Sequence, residues 1–439
     1  MPNITTISEL RKIHEERFID VNNWSEHFYE DYENRKKIIF LLDYWLYSLR
    51  SFIECYGLDA LRGLKDTKSK CFIRFSWKVE HNVDTTTKDI SRYKFHFLYN
   101  LLSYFSINLF LAGSDVRSLK RKCLLRYTKL LLQNFPISLD RNRQKILLEK
   151  ITQYFDDILQ LEDSEWFTDV IPEIFYSNQV RIWRSKQINI ESAPSEFLEF
   201  KGYERIFLNN VPVHVIGRQH GGGYDAYKTE CLTEYSKKLS DVYIGWGLSD
   251  LNLRQHKYYY KSELGTHTES RKRVIWVERG RLPKFFPYLW HEYDTEPIHY
   301  IAKELSRTKI NYYNIPYPPP FGKSQLYDEF RKNTLGINGK NAENIINMSD
   351  IVIFDTCTAT VMHFCLEHQI LFLLITSRES LKKFTSKQAE WFQMLKAHGL
   401  GFFDDEIGFL EKKICEILKP TYRVPSQVKQ YHYDHFINI

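Results

Sequence analysis

The sequence predicts an α/β chain of two domains, on three observations. Its 439 residues exceed what one hydrophobic core usually holds, so two domains of about 150–250 residues each are expected. The first 160 residues carry apolar side chains at three- and four-residue spacing with few Gly or Pro interruptions, the period of helix. Beyond about residue 200, β-branched runs alternate with helix-period segments, the pattern of a doubly wound parallel sheet.

In order along the chain, the helical period marks Arg35–Ile53, Tyr93–Ala112, Ser118–Asn134 and Asn142–Leu161. The run Val211 to Ile216 reads as a buried strand, and the glycine cluster that follows it reads as a tight loop. The basic stretch His267 to Arg273 reads as an interdomain linker, and it precedes the short strand RVIWVER. Then come a helix at Glu296–Ser306, a Pro-rich loop NIPYPPPFG, a helix at Tyr327–Asn333 and the strand DIVIFD. A helix at Val361–His368, the strand ILFLLI and a helix at Leu410–Leu418 complete the series. The expected organisation is a helix-rich N-terminal domain over 1–265 that includes the glycine loop, a Rossmann-like domain over 266–420, and a tail over 421–439.

Composition narrows the class. The net charge of +6 is mild, and basic residues alternate with acidic ones, which argues against nucleic acid as partner. The seven cysteines are odd in number and scattered, without a C-x-x-C pair, so neither a disulfide framework nor a zinc site is expected. The N-terminus has charges throughout and no apolar core, unlike a secretory signal. The longest apolar runs fall far short of the ~20 residues that span a bilayer. These features predict a cytoplasmic protein. The run Ser118 to Lys129 pairs a basic face with leucines, which suits either solvent or peripheral contact with an anionic inner-membrane surface.

Two motifs carry chemistry. In RQHGGGYD, Arg218 to Asp225, three glycines after a strand permit positive φ and let a ligand approach the backbone closely. His220 can donate a hydrogen bond or proton there, and Arg218 can hold an anion. The same text also fits a turn that merely needs glycine. In the second motif, a strand ending at Phe354 runs into Asp355, Thr356, Cys357, Thr358, Ala359 and Thr360 before a helix. Hydroxyls and free amide groups converge at such a helix start, which favours anions, although a plain N-cap would look alike. Ligands of open α/β sheets bind outside the carboxyl ends of the strands, so a nucleotide phosphate is expected at this second motif.

Together, QHGGGYD, Glu230, the SDVYIGWG run from Ser240 to Gly247, FDTCTATV, ILFLLI and WFQMLKAHGLGFF resemble a bacterial transferase family of O-antigen and other surface-polysaccharide clusters. The resemblance covers Val211–Pro420. It implies a glycosyltransferase-B arrangement of two Rossmann-like domains, related to CMP-Kdo-type transferases, with acceptor held mainly by the first and nucleotide by the second. The implied activity is transfer of a sugar from a nucleotide-activated donor, a CMP-activated ulosonate among the options, to a growing surface glycan or lipid-linked glycan. No cofactor is implied beyond the donor substrate, and no D-x-D cluster suggests a metal. Carried over, His220, Gly221, Gly222, Gly223 and Tyr224 match the glycine loop, Asp241 and Trp246 the S-D…W-G element, and Thr358 and Thr360 the helix start. Asp225, Glu230 or Asp241 would serve as base or nucleophile, and Asp241 fits equally an acid that only caps a turn. The chain departs from the family where NIP, Asn314 to Pro316, stands in place of a P-H-D loop. It departs again at Phe364, where a helix glutamate is expected and Glu367 is the nearest substitute, and Asp225 replaces a glycine. These departures leave two other readings open: a non-catalytic scaffold of a polysaccharide-assembly complex, and a CDP-polyol phosphotransferase.

Overall fold

The computed structural model describes residues 7–56, 109–110, 137–158, 167, 171–180, 187–192, 203–219, 232–244, 273–277, 312–315, 342, 345–346, 350–355, 360–417, 424–432 and 434–435. Among them are two parallel sheets with helices, an α/β fold. The chain divides into two compact units, residues 1–220 with 231–244, and residues 221–230 with 245–439. The division therefore falls at Ile244, about 20 residues before the boundary expected from composition.

The first unit is built around helices α1 (Ile7–Phe28) and α2 (Arg35–Tyr56). From Leu41 to Arg50 every residue of α2 is buried, so it is a core helix and not an amphipathic surface one. That burial takes Asp43 and Arg50 out of water, and each must find partners. Arg50 pairs with Glu54 at 3.2 Å and with Asp157. Asp157 lies just beyond α3 (Arg141–Tyr154), whose first turn is capped by Asp140 accepting from Arg143 N at 2.9 Å. The sheet runs β1 (Leu109–Phe110), β2 (Ile188–Ser192), β3 (Val213–Arg218) and β4 (Val242–Ile244) in sequential order, all parallel. Helix α4 (Leu232–Leu239) leads into β4. Leu109 and Phe110 are thus strand where the helical period predicted the end of a helix over Tyr93–Ala112; pairing with Ile190 and Glu191 of β2 overrides the local pattern. The remainder of that helix, and those expected at Ser118–Asn134, Glu296–Ser306 and Tyr327–Asn333, lie outside the described residues.

Asn34, in the turn between α1 and α2, ties the helices to the sheet. Its amide donates to the carbonyls of Asn209 at 3.0 Å, Val211 at 3.1 Å and Phe207 at 3.3 Å, and accepts from Val213 N at 2.8 Å. Four backbone groups at the amino end of β3 are thereby satisfied by one side chain.

The second unit holds β5 (Val274–Val277), β6 (Tyr312–Ile315), β7 (Ile351–Phe354), β8 (Leu371–Thr376) and β9 (Gly401–Phe403) in the order β6-β5-β7-β8-β9, all parallel. Every residue of β7 and β8 is buried, as expected of strands covered on both faces. Helix α5 (Thr360–Glu367) connects β7 to β8, and α6 (Arg378–Lys383) with α7 (Ser386–Ala397) connects β8 to β9. The N-caps Ser377 and Thr385 start these last two helices, accepting from Ser380 N and Gln388 N. Helix α8 (Leu410–Ile417) follows β9. Two expectations need correction. Asn314 and Ile315, read as the start of a Pro-rich loop, are strand, because they pair with Trp276 and Val277. The segment expected as a tail holds α9 (Ser426–His432), which packs on α5 and α7 with Val428 fully buried.

At the amino ends of adjacent strands, Arg273 before β5 makes a two-pronged pair with Asp350 before β7, at 3.0 and 2.8 Å. The Asp350 side chain is wholly buried, so this forked pair holds the register where the two strands begin. Among the described residues, no helix is long and apolar enough to cross a membrane.

Candidate functional site

Counting from β5, the strand order of the second unit is 2-1-3-4-5. The chain steps from β5 to β6 on one side, then crosses back past β5 to β7 and continues the other way. A reversal of this kind opens a crevice at the carboxyl ends of the first and third strands, where ligands of open α/β sheets bind. Here those ends are Val277 and Phe354, and the residue after Phe354 is Asp355. Asp355 is 3 % exposed, and its Oδ2 accepts from Trp276 Nε1 of β5 at 3.3 Å. Trp276, Asn314 and Ile353 share one row across β5, β6 and β7. Asp355 lies two residues beyond Ile353 and so on the same face. Asn314 is fully buried, and neither atom of its amide has a hydrogen-bond partner among the described residues. The carboxyl end of this sheet therefore carries an indole, an amide and a carboxyl group beside a hydrophobic core.

Thr360 is the first residue of α5 and Glu367 its last. Seven residues separate them, about 10 Å along the axis, so the expected substitute for the family's helix glutamate stands at the opposite end of α5 from the threonine. Thr356 and Thr358 lie outside the described residues. So do His220, Gly221, Gly222, Gly223, Tyr224, Asp225, Glu230 and Trp246. Arg218 is the last residue of β3, at the carboxyl end of that strand.

Asp241 has structural partners, in keeping with the capping alternative. It precedes β4, level with Val215, three residues short of the end of β3, about 10 Å along the strand. Its Oδ2 accepts from Val215 N at 2.7 Å, its Oδ1 from Lys37 Nζ at 2.9 Å, and His214 Nδ1 lies 3.6 Å away. The carboxylate is committed to joining β3, β4 and α2. A cleft of about 500 Å³ opens beside it, lined by the first turn of α2, Pro212, Val213 and His214. This is the amino end of the strands, the opposite end from a crossover crevice.

A second cleft, of about 450 Å³, runs between α1, α2 and α4. In its wall, Asp43 Oδ1 accepts from His14 Nε2 at 2.6 Å and from Tyr235 Oη at 2.7 Å. A carboxylate on Nε2 makes that nitrogen the donor, so His14 Nδ1 accepts from Tyr154 Oη at 2.6 Å. Burial raises the Tyr154 pKa well above its ordinary value, against the opposing pull of the Arg50 charge, and keeps the phenol a donor. Lys238 lies 3.7 Å from Asp43 Oδ2 and 2.9 Å from Glu234, which also pairs with Arg11 at 3.0 Å. Burial lowers the Lys238 pKa, but the Glu234 hydrogen bond and the Asp43 charge outweigh it, and the net shift is upward. None of this cluster was singled out in the sequence. Its members are spread over 224 residues, from His14 to Lys238, so no local spacing reports them.

No protein-family model matches the chain, and no curated protein matches it at a significant level.

Proposed function

We propose that the chain is a glycosyltransferase of the glycosyltransferase-B type that takes a nucleotide-activated sugar and extends a bacterial surface glycan. One observation carries the reading: the 2-1-3-4-5 parallel sheet brings Asp355 and Trp276 together near the carboxyl ends of β7 and β5, at the strand-order reversal, with the helix start at Thr360 five positions after Asp355. That arrangement suits a nucleotide, with the phosphate taken by the amides and hydroxyls of Thr356, Thr358 and Thr360. Developing charge on the leaving phosphate would be stabilised by groups already oriented toward it. With Asp241 engaged by Lys37 and Val215, the acids left for base or nucleophile are Asp225 and Glu230, which follow His220 and the glycines in sequence. The engagement of Asp241 is also the observation that favours the second reading, a scaffold with no turnover.

A thermal-shift panel of CMP, CDP, UDP, GDP and their sugar esters tests the donor site. One nucleotide at a hundred times its dissociation constant should stabilise the chain by about 2.7 kcal/mol. Thr358→Val together with Thr360→Val should abolish most of that shift. A panel in which no nucleotide shifts the transition defeats the reading. Nucleotide binding without transfer from any donor ester selects the scaffold.

A further inference from the structure

The cleft between α1, α2 and α4 is built as a ligand site, and its chemistry selects the ligand. Its buried carboxylate, Asp43, is 8 % exposed and its two oxygens are unequal. Oδ1 is filled by His14 and Tyr235, whereas Oδ2 has, among the described residues, only Lys238 at 3.7 Å. A carboxylate oxygen at that distance from its cation still has room to accept a short hydrogen bond, so a ligand that fills it must bring a donor. An ammonium donor would enter against the charge of Lys238, which leaves a hydroxyl. Phosphate is disfavoured as well, because Arg11 and Lys238 are both paired with Glu234 and the lining holds four carboxylates against three cations. Phe18, Phe40 and Tyr47 supply aromatic surface along the same cleft. Aromatic faces beside a carboxylate match a molecule with hydroxyl groups at its edge and C–H groups on its flat side. The volume is within the range of about 300–1,000 Å³ typical of small-ligand pockets.

We propose that this cleft binds a neutral saccharide, one hydroxyl of which donates to Asp43 Oδ2 while its apolar face lies on the aromatic wall. His14, Tyr154 and Tyr235 act as positioning residues: they hold Oδ1 and so fix the direction in which Oδ2 presents itself. That the saccharide is the glycan the chain extends rests on the function proposed above; the chemistry of the cleft does not.

The test uses the full chain on an array of neutral oligosaccharides, amino-sugar oligomers and uronate oligomers, followed by calorimetric titration of the strongest neutral binder and of inorganic phosphate. Wild type should bind neutral oligosaccharides and not phosphate. Asp43→Asn removes the charge but keeps the shape, and should weaken that binding about ten- to a hundredfold, the worth of a hydrogen bond to a charged group. Lys238→Met should raise the affinity for amino-sugar oligomers relative to neutral ones, a change of preference that loss of structure would not produce. Should Asp43→Asn fail to fold, Phe40→Ala probes the aromatic wall in its place. Absence of neutral-glycan binding by wild type, or variants that bind with unchanged affinity and preference, overturns the proposal. Nucleotide titration of the same samples separates the two readings. Glycan binding without nucleotide binding removes the donor site and leaves this one, and the reverse pattern removes this one alone.

Discussion

The two units solve the same problem of burial by different means. In the second, the central strands β7 and β8 are apolar from end to end, apart from Thr376 at the last position, and the forked Arg273–Asp350 pair stands at the strand starts. In the first, a core helix carries Asp43 and Arg50 into the interior, and residues far away in sequence neutralise them. The second core loses little specificity to any one substitution, because each side chain contributes area. The first rests on single groups whose partners have no alternative, and this makes it both more fragile and better suited to hold polar ligands.

The largest expected effect comes from breaking a buried charge pair. Arg50→Leu leaves Glu54 without its cation and Asp157 with only Arg17 at 3.4 Å, and should cost about 3–5 kcal/mol. Hydrogen exchange should show the loss concentrated in the amides of α2. Leu373→Ala at the centre of β8 should cost about 2–5 kcal/mol by denaturant unfolding, scaled by the cavity left behind. Equal sensitivity of both units to conservative apolar changes such as Ile→Val, with no excess at Arg50, would end the comparison. Asn34→Ala strips hydrogen bonds from four backbone groups at the amino end of β3 and should cost about 1–3 kcal/mol, while Asn34→Asp should not rescue it, since a carboxylate would face three carbonyls.

A smaller effect sharpens the contrast from the second unit. His363 Nδ1 and His432 Nε2 lie 2.8 Å apart between α5 and α9, sharing one proton. Burial, helped by the charge of Lys387, lowers the His363 pKa to about 4, and burial with His363 lowers that of His432 too. The unfolded chain therefore binds more protons than the folded one between pH of about 6.5 and about 4. Stability is full above that window and falls as pH drops through it, at no more than about 1.4 kcal/mol per pH unit for each group. His363→Phe should flatten the slope measured by thermal melting across that window. The smallest change is Asp140→Ala, which removes the cap of α3 and should cost about 1 kcal/mol.

The contrast also explains what could be read from the sequence. The strands around Val274–Val277, Ile351–Phe354 and Leu371–Thr376 announced themselves as apolar runs, and with them the parallel sheet of the second unit. Helix α2 was legible for the same reason. Strands β1 and β2 were not, because two residues, and five that alternate only over Ile188–Glu191, carry too little period to outweigh their surroundings. Asp355 was expected at a strand end and stands there, but its partner Trp276 was not foreseen, since the strand order that makes them neighbours is set by the crossover and not by local sequence. Asp241 was open to two readings, because an acid before a strand looks the same whether it serves a ligand or caps a turn; its contacts with Val215 N and Lys37 lie beyond what local sequence reports. The His14–Asp43 cluster has no local signature at all; a buried acid in a core helix was the one available clue.

Strand β5 sits inside its sheet, between β6 and β7, yet is made first. Its neighbour on one side, β7, pairs Ile351 with Val274, 77 residues further along the chain. At a synthesis rate of about 5–20 residues per second, that edge of β5 waits about 4–15 s before its partner emerges. During this interval a short aliphatic strand with an open hydrogen-bonding edge is exposed on the nascent chain, a target for chaperones and for mispairing. Expression yield should therefore respond more to conditions that slow elongation between residues 277 and 351 than to the stability of the finished fold.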